Sequence, residues 1–343
     1  MEILGLLFDG FLIALQPLNI TVVIIGVIVG LFIGAMPGLG SVNGVAILLP
    51  MTFLVPPTSA IIFLAALYYG AMYGGAISSI MLGIPGASTA VATTFDGRPL
   101  ALKGLADKAL ITAALASFIG GTISVILFTG FAPPLAQIAL DFGDHEIFAL
   151  MLVAFATFVG LSGDDIPKTI FSICIGLVFS AVGLDIMSGE PRLVFFDIIG
   201  FMHGINFLVL AIGIYGIGEM MWTIETNRGD SAMSKAVLTL NGFMDSLRDI
   251  GRTWIAWTTG SFLGFFVGIL PAAGATPGSL MAYGVAKMTS KDSDNFGKGE
   301  VAGVVAPESA NNAASTGALL PMLTLGIPGS PTTAILLGGM VIW

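Results

Sequence analysis

Helix-breaking residues interrupt the most apolar parts of this sequence, and they do so twice at matching positions. The pentapeptide LGIPG occupies residues 82–86 and again residues 325–329, which lie 243 positions further on. Upstream of each copy, residues 30–44 and 264–278 share Gly, Phe, Gly, Pro, Gly and Gly at the same offsets, 234 positions apart. Duplication of breaks inside apolar sequence predicts two structurally related halves.

The distribution of charge places these breaks in a membrane. The 343 residues are 56% hydrophobic and only 10% charged, well under half the charged fraction of an ordinary soluble domain. Residues 10–95, 109–140 and 253–286 contain no Asp, Glu, Lys, Arg or His, and each run exceeds the roughly 20 residues that cross a bilayer core. The sequence predicts an all-α polytopic integral membrane protein.

Predicted spans cover residues 18–36, 58–82, 110–131, 146–161, 169–184, 206–222 and 254–270. The loops with most Lys and Arg are 96–108, 223–253 and the segment that holds Lys287, Lys291 and Lys298. Since positive charge marks the cytoplasmic side of short loops, these three are expected on that side. Asp96 and its neighbours are taken as the first aqueous loop.

The same charge map predicts inverted repeats. Residues 254–286 lie between basic segments and form an expected re-entrant hairpin from the cytoplasmic side, whereas residues 18–55 lack flanking Lys or Arg and suit the outer side. The predicted organisation is a first membrane repeat with connecting spans at 1–222, a cytoplasmic linker at 223–253, and the start of a second membrane repeat at 254–343. The second repeat is therefore expected to be incomplete.

Each break leaves main-chain amides and carbonyls unpaired at membrane depth, which is costly unless something binds them. Helix N-termini attract anions and C-termini offer carbonyls to cations such as Na⁺. An alternative is that these Gly and Pro residues only permit kinks and close helix packing. The predicted substrate- and ion-binding residues at the breaks are Gly38, Gly40, Ser41, Asn43, Pro85, Gly86, Ser88, Thr89, Gly274, Thr276, Gly329, Ser330 and Thr332.

Glu308 is the other candidate, together with Asn311 and Asn312. It is the one acid in residues 301–343, and an acid inside a membrane marks a functional site by default. Pro307 permits a second interpretation, in which Glu308 begins a helix near the interface and complements its dipole.

Several other classes of protein are disfavoured. The single cysteine, Cys174, excludes a disulfide framework. His145 and His203 are too few for a metal centre, and they are interpreted as interfacial or loop residues, with a proton relay as the alternative. Asp164 and Asp165 are interpreted as a solvated turn. No phosphate-binding loop or nucleophile with a base at workable spacing occurs, so neither ATP hydrolysis, another enzyme activity, nor a cofactor is expected. Nucleic-acid binding is not expected either.

The sequence resembles the large membrane subunit of the tripartite tricarboxylate transporters. The matching pieces are residues 34–40 (GAMPGLG), 82–89 (LGIPGAST), 268–278, 306–314 (APESANNAA) and 325–329. The resemblance implies a multi-pass protein of the bacterial inner membrane that takes up organic carboxylates using a Na⁺ or proton gradient. It also implies two partners, a periplasmic solute-binding protein and a small membrane subunit, and chains longer than this one.

Residues and resemblance together favour gradient-driven symport of an organic anion, with the four breaks meeting near the bilayer midplane. The alternatives are a passive anion channel lined by the same backbone, and an intramembrane enzyme that would depend on Glu308.

Overall fold

The computed structural model describes residues 2–140, 166–184, 190–194, 199–205, 240–271 and 273–342, with isolated positions between 143 and 155 and at 210, 221 and 225. The predicted spans 146–161 and 206–222 lie almost entirely outside the described residues, as do Asp164 and Asp165. The described part is mainly helical and confirms an all-α membrane fold.

Six helices lie in the described residues 2–140. Their bounds are α1 Glu2–Ala14, α2 Pro17–Ala35, α3 Gly40–Leu48, α4 Pro57–Met81, α5 Val91–Leu102 and α6 Ala106–Leu140, with short 3-10 helices at Leu49–Leu54 and Ser88–Ala90. Proline stands at the first turn of α2 and of α4, where its missing amide costs no helical hydrogen bond.

The remaining described helices are α7 Ile166–Ser180, α8 Leu240–Arg252, α9 Trp254–Ile269, α10 Ala275–Thr289, α11 Ala302–Leu325 and α12 Pro331–Ile342. 3-10 helices lie at Ile199–His203 and Ser293–Asn295. A two-residue strand β1 (Gly183–Leu184) pairs antiparallel with β2 (Pro191–Arg192). The predicted span 169–184 is wrong at its end, because α7 stops at Ser180.

Three helices in the described part of the chain are long and apolar enough to cross a bilayer, namely Pro17–Ala35, Pro57–Met81 and the segment Ala106–Gln137 of α6. Large apolar side chains point outward from two of them: Phe32 is 70% exposed and Phe118 72%. Such exposure fits contact with lipid rather than water.

Main-chain contact between helices recurs at matching positions in the two halves. A Cβ on Gly30 of α2 would collide with the carbonyl of Leu67 in α4, and a Cβ on Gly264 of α9 with that of Ala310 in α11. Gly264 and Ala310 lie 234 and 243 positions after Gly30 and Leu67, the two offsets of the sequence repeat. The packing interpretation of the repeated glycines is therefore correct for these helix pairs.

The prediction of an aqueous loop at 96–108 is wrong. Residues 96–102 belong to α5, α6 begins at Ala106, and Asp96 is fully buried. The loop prediction fails because it treats every charged residue as solvated, whereas Asp96 is satisfied by protein groups.

The basic segments do meet at one side of the molecule. Lys103, at the end of α5, donates from Nζ to the carbonyl of Lys298 at 2.5 Å. Lys108 of α6 forms a salt bridge of 2.6 Å with Asp249 of α8. These contacts agree with the prediction that the basic segments share one side. Within the predicted linker 223–253, residues 240–252 form an amphipathic helix rather than a loop.

Candidate functional site

The four predicted breaks come together, and hydroxyl groups join them in pairs. Ser41, after the first break, lies 3.0 Å (Oγ to Oγ1) from Thr332, after the fourth, and this pair is buried. Ser88, after the second break, lies 2.9 Å from Thr276, after the third, at the exposed edge of the region. Each pair connects a residue of the first half to one of the second.

Main-chain contacts draw the breaks closer still. The amide of Gly274 donates to the carbonyl of Gly329 at 3.0 Å, joining the third break to the fourth. Gly40 and Gly274, which are 234 positions apart, both adopt a positive φ, +61° and +65°, a conformation that costs other residues strain. A Cβ on Gly40 would touch Ala87 of the second break.

The two copies of LGIPG have a shared packing role. A Cβ on Gly86 would overlap the carbonyl of Gly34, and a Cβ on Gly329 would overlap that of Gly268. Pro85 precedes the first of these glycines and is only partly buried. Gly86 thus packs the second break against α2, the helix that leads into the first break. Gly329 packs the fourth break against α9, the helix that leads into the third break.

Two polar atoms near the breaks are buried without a hydrogen-bond partner. Asn43 donates from Nδ2 to the carbonyl of Gly38 at 3.2 Å, but its Oδ1 has no partner. Thr89 has a buried Oγ1 that is likewise unpartnered. Because leaving such atoms unsatisfied costs about 1–3 kcal/mol each, they are suited to hold a bound group.

The start of α12 is organised by a hydroxyl pair, which includes the predicted Ser330, and by a tyrosine that the sequence interpretation does not include. Ser330 and Thr333 exchange hydrogen bonds between side chain and main chain, 2.9 Å and 3.2 Å, which cap the helix. The phenol of Tyr68 in α4 lies 3.3 Å from Ser330 Oγ. Tyr68 thereby connects the long helix of the first half to the fourth break.

Glu308 lies inside a helix and not at its start. It is the seventh residue of α11 and is fully buried, and Pro307 is in the helix interior. Thr93 of α5 donates to Glu308 Oε1 at 2.5 Å, and Ser117 of α6 donates to Oε2 at 3.1 Å. The interpretation of Glu308 as an interfacial helix cap is therefore wrong, since Pro307 does not begin the helix.

Asn311 and Asn312 continue the polar face of α11. Asn312 donates from Nδ2 to Asn311 Oδ1 at 2.6 Å and to the carbonyl of Glu308 at 3.1 Å. One turn further on, Thr316 Oγ1 lies 2.5 Å from the phenol of Tyr69 and 2.6 Å from Ser124. Tyr68, Tyr69 and Tyr73 are three of only five tyrosines in the chain, and their cluster in an apolar helix was the available signal for this polar interior.

Asp96 is a second buried acid that the sequence interpretation missed. Its Oδ1 accepts from the amides of Gly297, Gly299 and Glu300 at 2.7–2.9 Å, and its Oδ2 accepts from the phenol of Tyr283 at 2.9 Å. The carboxylate thus fixes the turn that leads into α11. Beside it, partial burial raises the pKa of the Glu300 carboxyl above its ordinary value.

The break segments themselves offer hydroxyls, amides and main-chain groups, and one ionised side chain reaches them: Arg98 of α5 lies against Gly83 of the second break and donates to the carbonyl of Met81 at 2.5 Å. Residues 36–44, 83–95, 270–280 and 325–333 contain no Asp, Glu, Lys, Arg or His. Among the described residues, no group of three His, Cys, Asp or Glu could hold a metal ion. The arrangement can bind an anion through N–H and O–H donors, or a monovalent cation through oxygens.

A bundle of apolar helices, interrupted at four points that converge on buried polar groups, defines a polytopic membrane transporter. Residues 20–343 match the Tripartite tricarboxylate transporter TctA family, and the chain belongs to that family. No solved structure matches the chain.

Two similar proteins come from Agrobacterium vitis. The "Uncharacterized 52.8 kDa protein in TAR-I ttuC' 3'region" is 37% identical over 342 residues, which cover 100% of this chain and 67% of that protein. The "Uncharacterized protein in TAR-II ttuC' 3'region" is 43% identical over 79 residues, 23% of this chain and 33% of that protein. This chain thus spans about two thirds of the first relative's length.

Proposed function

We propose that this protein carries out secondary active uptake of organic carboxylates, of the tricarboxylate type, across the bacterial inner membrane. Its substrate is delivered by a periplasmic solute-binding protein, a small membrane subunit completes the assembly, and a Na⁺ or proton gradient drives transport. The proposal rests on family membership for the class of cargo and on the converging breaks for the site.

The observation that carries the proposal is the pair of hydroxyl contacts between halves, Ser41 with Thr332 and Ser88 with Thr276. Substrate carboxylates lie against the amides and hydroxyls that follow the breaks, where the unpartnered Asn43 Oδ1 accepts from a protonated or hydrated group. Most donors at the breaks are neutral hydroxyls and amides, which bind an anion without the cost of burying a fixed charge, and the guanidinium of Arg98 lies beside the second break.

Alternating access follows from the proposed inverted relation of the halves. The equivalent helices α4 and α11 run in opposite directions where they pack: Tyr69 contacts Thr316, whereas Ile80, later in α4, packs in one cluster with Val304, earlier in α11. When one half rocks against the other, the hydroxyl contacts between the halves break and re-form, and the same site opens to each side of the membrane in turn.

Reconstitution tests the proposed function. The complete protein is placed in proteoliposomes with its small membrane subunit, and radiolabelled citrate is supplied on the binding protein, with succinate in parallel. Accumulation above the external concentration under a Na⁺ or a proton gradient is the expected result. If the labelled substrate only equilibrates, with no response to either gradient and no need for the binding protein, the protein behaves as an anion channel and symport is overturned.

A further inference from the structure

Glu308 is a buried carboxyl at the centre of the polar interior, and its surroundings bear on which ion is coupled to transport. It is among the largest side chains that are completely buried in the described residues. The groups that contact it come from two other helices, Thr93 from α5 and Ser117 from α6. Both carboxylate oxygens are thus held by hydroxyl donors.

Among the residues that the structure describes, no cation forms an ion pair with this carboxylate. The elements packed against α11 are α4, α5, α6, α9, α10, α12 and the turn Ser88–Ala90. The titratable groups they present towards this part of the helix are the phenol of Tyr73 from α4, Asp96 from α5, which is engaged by the turn before α11, and Tyr283 from α10, which donates to Asp96. Arg98, the cation on α5 next to Asp96, donates to the carbonyl of Met81 at the second break.

The nearest lysine on α6, Lys108, is paired with Asp249. Within the described part of the chain, Glu308 therefore has no salt bridge. Burying an unpaired carboxylate costs several kcal/mol or more, and such a group neutralises instead by binding a cation or a proton.

The neighbouring amide argues against a metal cation. Asn312 donates to Asn311 Oδ1, so the end of the Asn311 amide that faces the Glu308 carboxylate is Nδ2, a donor. Hard cations need several oxygen ligands and are repelled by an N–H group. A proton needs one carboxylate oxygen, and the hydroxyl beside that oxygen then turns from donor to acceptor while the contact is kept.

Glu308 is also connected to the break region. Thr93 lies four residues after Thr89 in the segment that follows the second break, a rise of about 6 Å along a helix. Thr89 follows Ser88, whose hydroxyl contacts Thr276. A change at the second break therefore moves the hydroxyl that holds Glu308 Oε1.

We propose that Glu308 is the proton carrier that couples substrate uptake to a proton gradient, a refinement that rests on the proposed carboxylate transport. A proton from the outer side adds to a Glu308 carboxylate oxygen to form the neutral acid. After the site has opened inward, the same O–H bond breaks and the proton leaves to the cytoplasmic side, restoring the carboxylate. No other reactant is consumed.

The test uses the complete transporter in Na⁺-free proteoliposomes that contain a trapped pH-sensitive dye. Citrate on the binding protein is added with the outside acidic, and citrate accumulation and proton entry are recorded together. Exchange of labelled for unlabelled citrate at equal pH on both sides measures site opening without net proton movement. The variant is Glu308→Gln, and the matched control is Glu300→Gln, an acid in the turn before the same helix.

The wild type and Glu300→Gln are expected to accumulate citrate and to admit protons with it. Glu308→Gln should keep exchange within about twofold and lose proton-driven accumulation and proton entry at least tenfold. Proton entry retained in Glu308→Gln overturns the proposal, as does wild-type accumulation that needs Na⁺ and admits no protons. Loss of exchange in a variant that melts like the wild type would place Glu308 in the substrate site and also overturn it.

A wild type that neither accumulates nor exchanges citrate or succinate would instead contradict the proposed function itself.

Discussion

The hydroxyl of Ser41 lies 3.0 Å from that of Thr332, although the two residues are 291 positions apart. Each follows a break in its own half, and this pair, the pair Ser88 and Thr276, and the contact of Tyr68 with Ser330 are polar contacts between the halves at the breaks. Neutral hydrogen bonds of this kind contribute only about 0.5–1.5 kcal/mol each. They are therefore strong enough to define one state and weak enough to be exchanged for contacts with a substrate.

Replacing Thr332 by Val removes one hydroxyl from the proposed substrate site while keeping the branched shape of the side chain. The KM for citrate uptake should rise about 2- to 10-fold, which corresponds to the loss of one hydrogen bond. Thr122→Val is the matched control, because Thr122 is an exposed threonine that bonds only to the carbonyl of Phe118 in its own helix. An unchanged KM in Thr332→Val would remove that hydroxyl from the site.

Gly329→Ala tests the contact between the second LGIPG and α9. The added methyl group would overlap the carbonyl of Gly268, so the midpoint of thermal unfolding in detergent should fall by an amount that reflects about 1–3 kcal/mol. Gly130→Ala in α6 meets nothing within 4 Å and should be neutral or slightly stabilising. Equal melting of both variants would contradict the packing role.

Asp96→Asn tests the buried acid that organises the turn before α11. The amide has no negative charge, so it weakens the three main-chain hydrogen bonds that Asp96 accepts, and hydrogen bonds to a charged group contribute about 1.5–3 kcal/mol each. We expect a clearly lower melting temperature. Asp107→Asn, in the first turn of α6, provides the control, and a comparable effect there would argue against a special role for Asp96.

Labelling of single cysteines tests the orientation of the chain. In a Cys174→Ala background, Lys291→Cys should react with a membrane-impermeant maleimide from the cytoplasmic side, because the basic segments meet there. Leu54→Cys, at the exposed turn before α4, should react from the periplasmic side. Reaction of both positions from the same side would contradict the inverted arrangement.

Much of the helical layout follows from apolar runs and helix breakers, because these reflect local chemistry. Pro57 and Met81 bound α4 within one residue of the predicted span, and Trp254 begins α9 as expected. The sequence also predicts that the breaks meet, because the two copies of LGIPG occupy corresponding positions in the two related halves. Charge patterning correctly grouped Lys103 and Lys298.

What the sequence did not reveal are the partners of buried polar groups. The sequence predicts a solvated Asp96, because the main-chain amides that bind its carboxylate lie 201–204 positions away and no side chain there indicates the contact. The hydroxyls around Glu308 come from two separate helices, and threonine and serine are common in membrane helices for other reasons. Long-range pairing of this kind depends on helix packing, which composition does not specify.

The close backbone packing at Gly30 and Gly264 has a consequence for how such a protein can change. No other residue type fits where main chain touches main chain, so these positions tolerate almost no variation. The hydroxyls at Ser41, Ser88 and Thr332 are side-chain groups outside that framework. If they form the proposed substrate site, single substitutions there would change cargo preference while the packed helices stay the same.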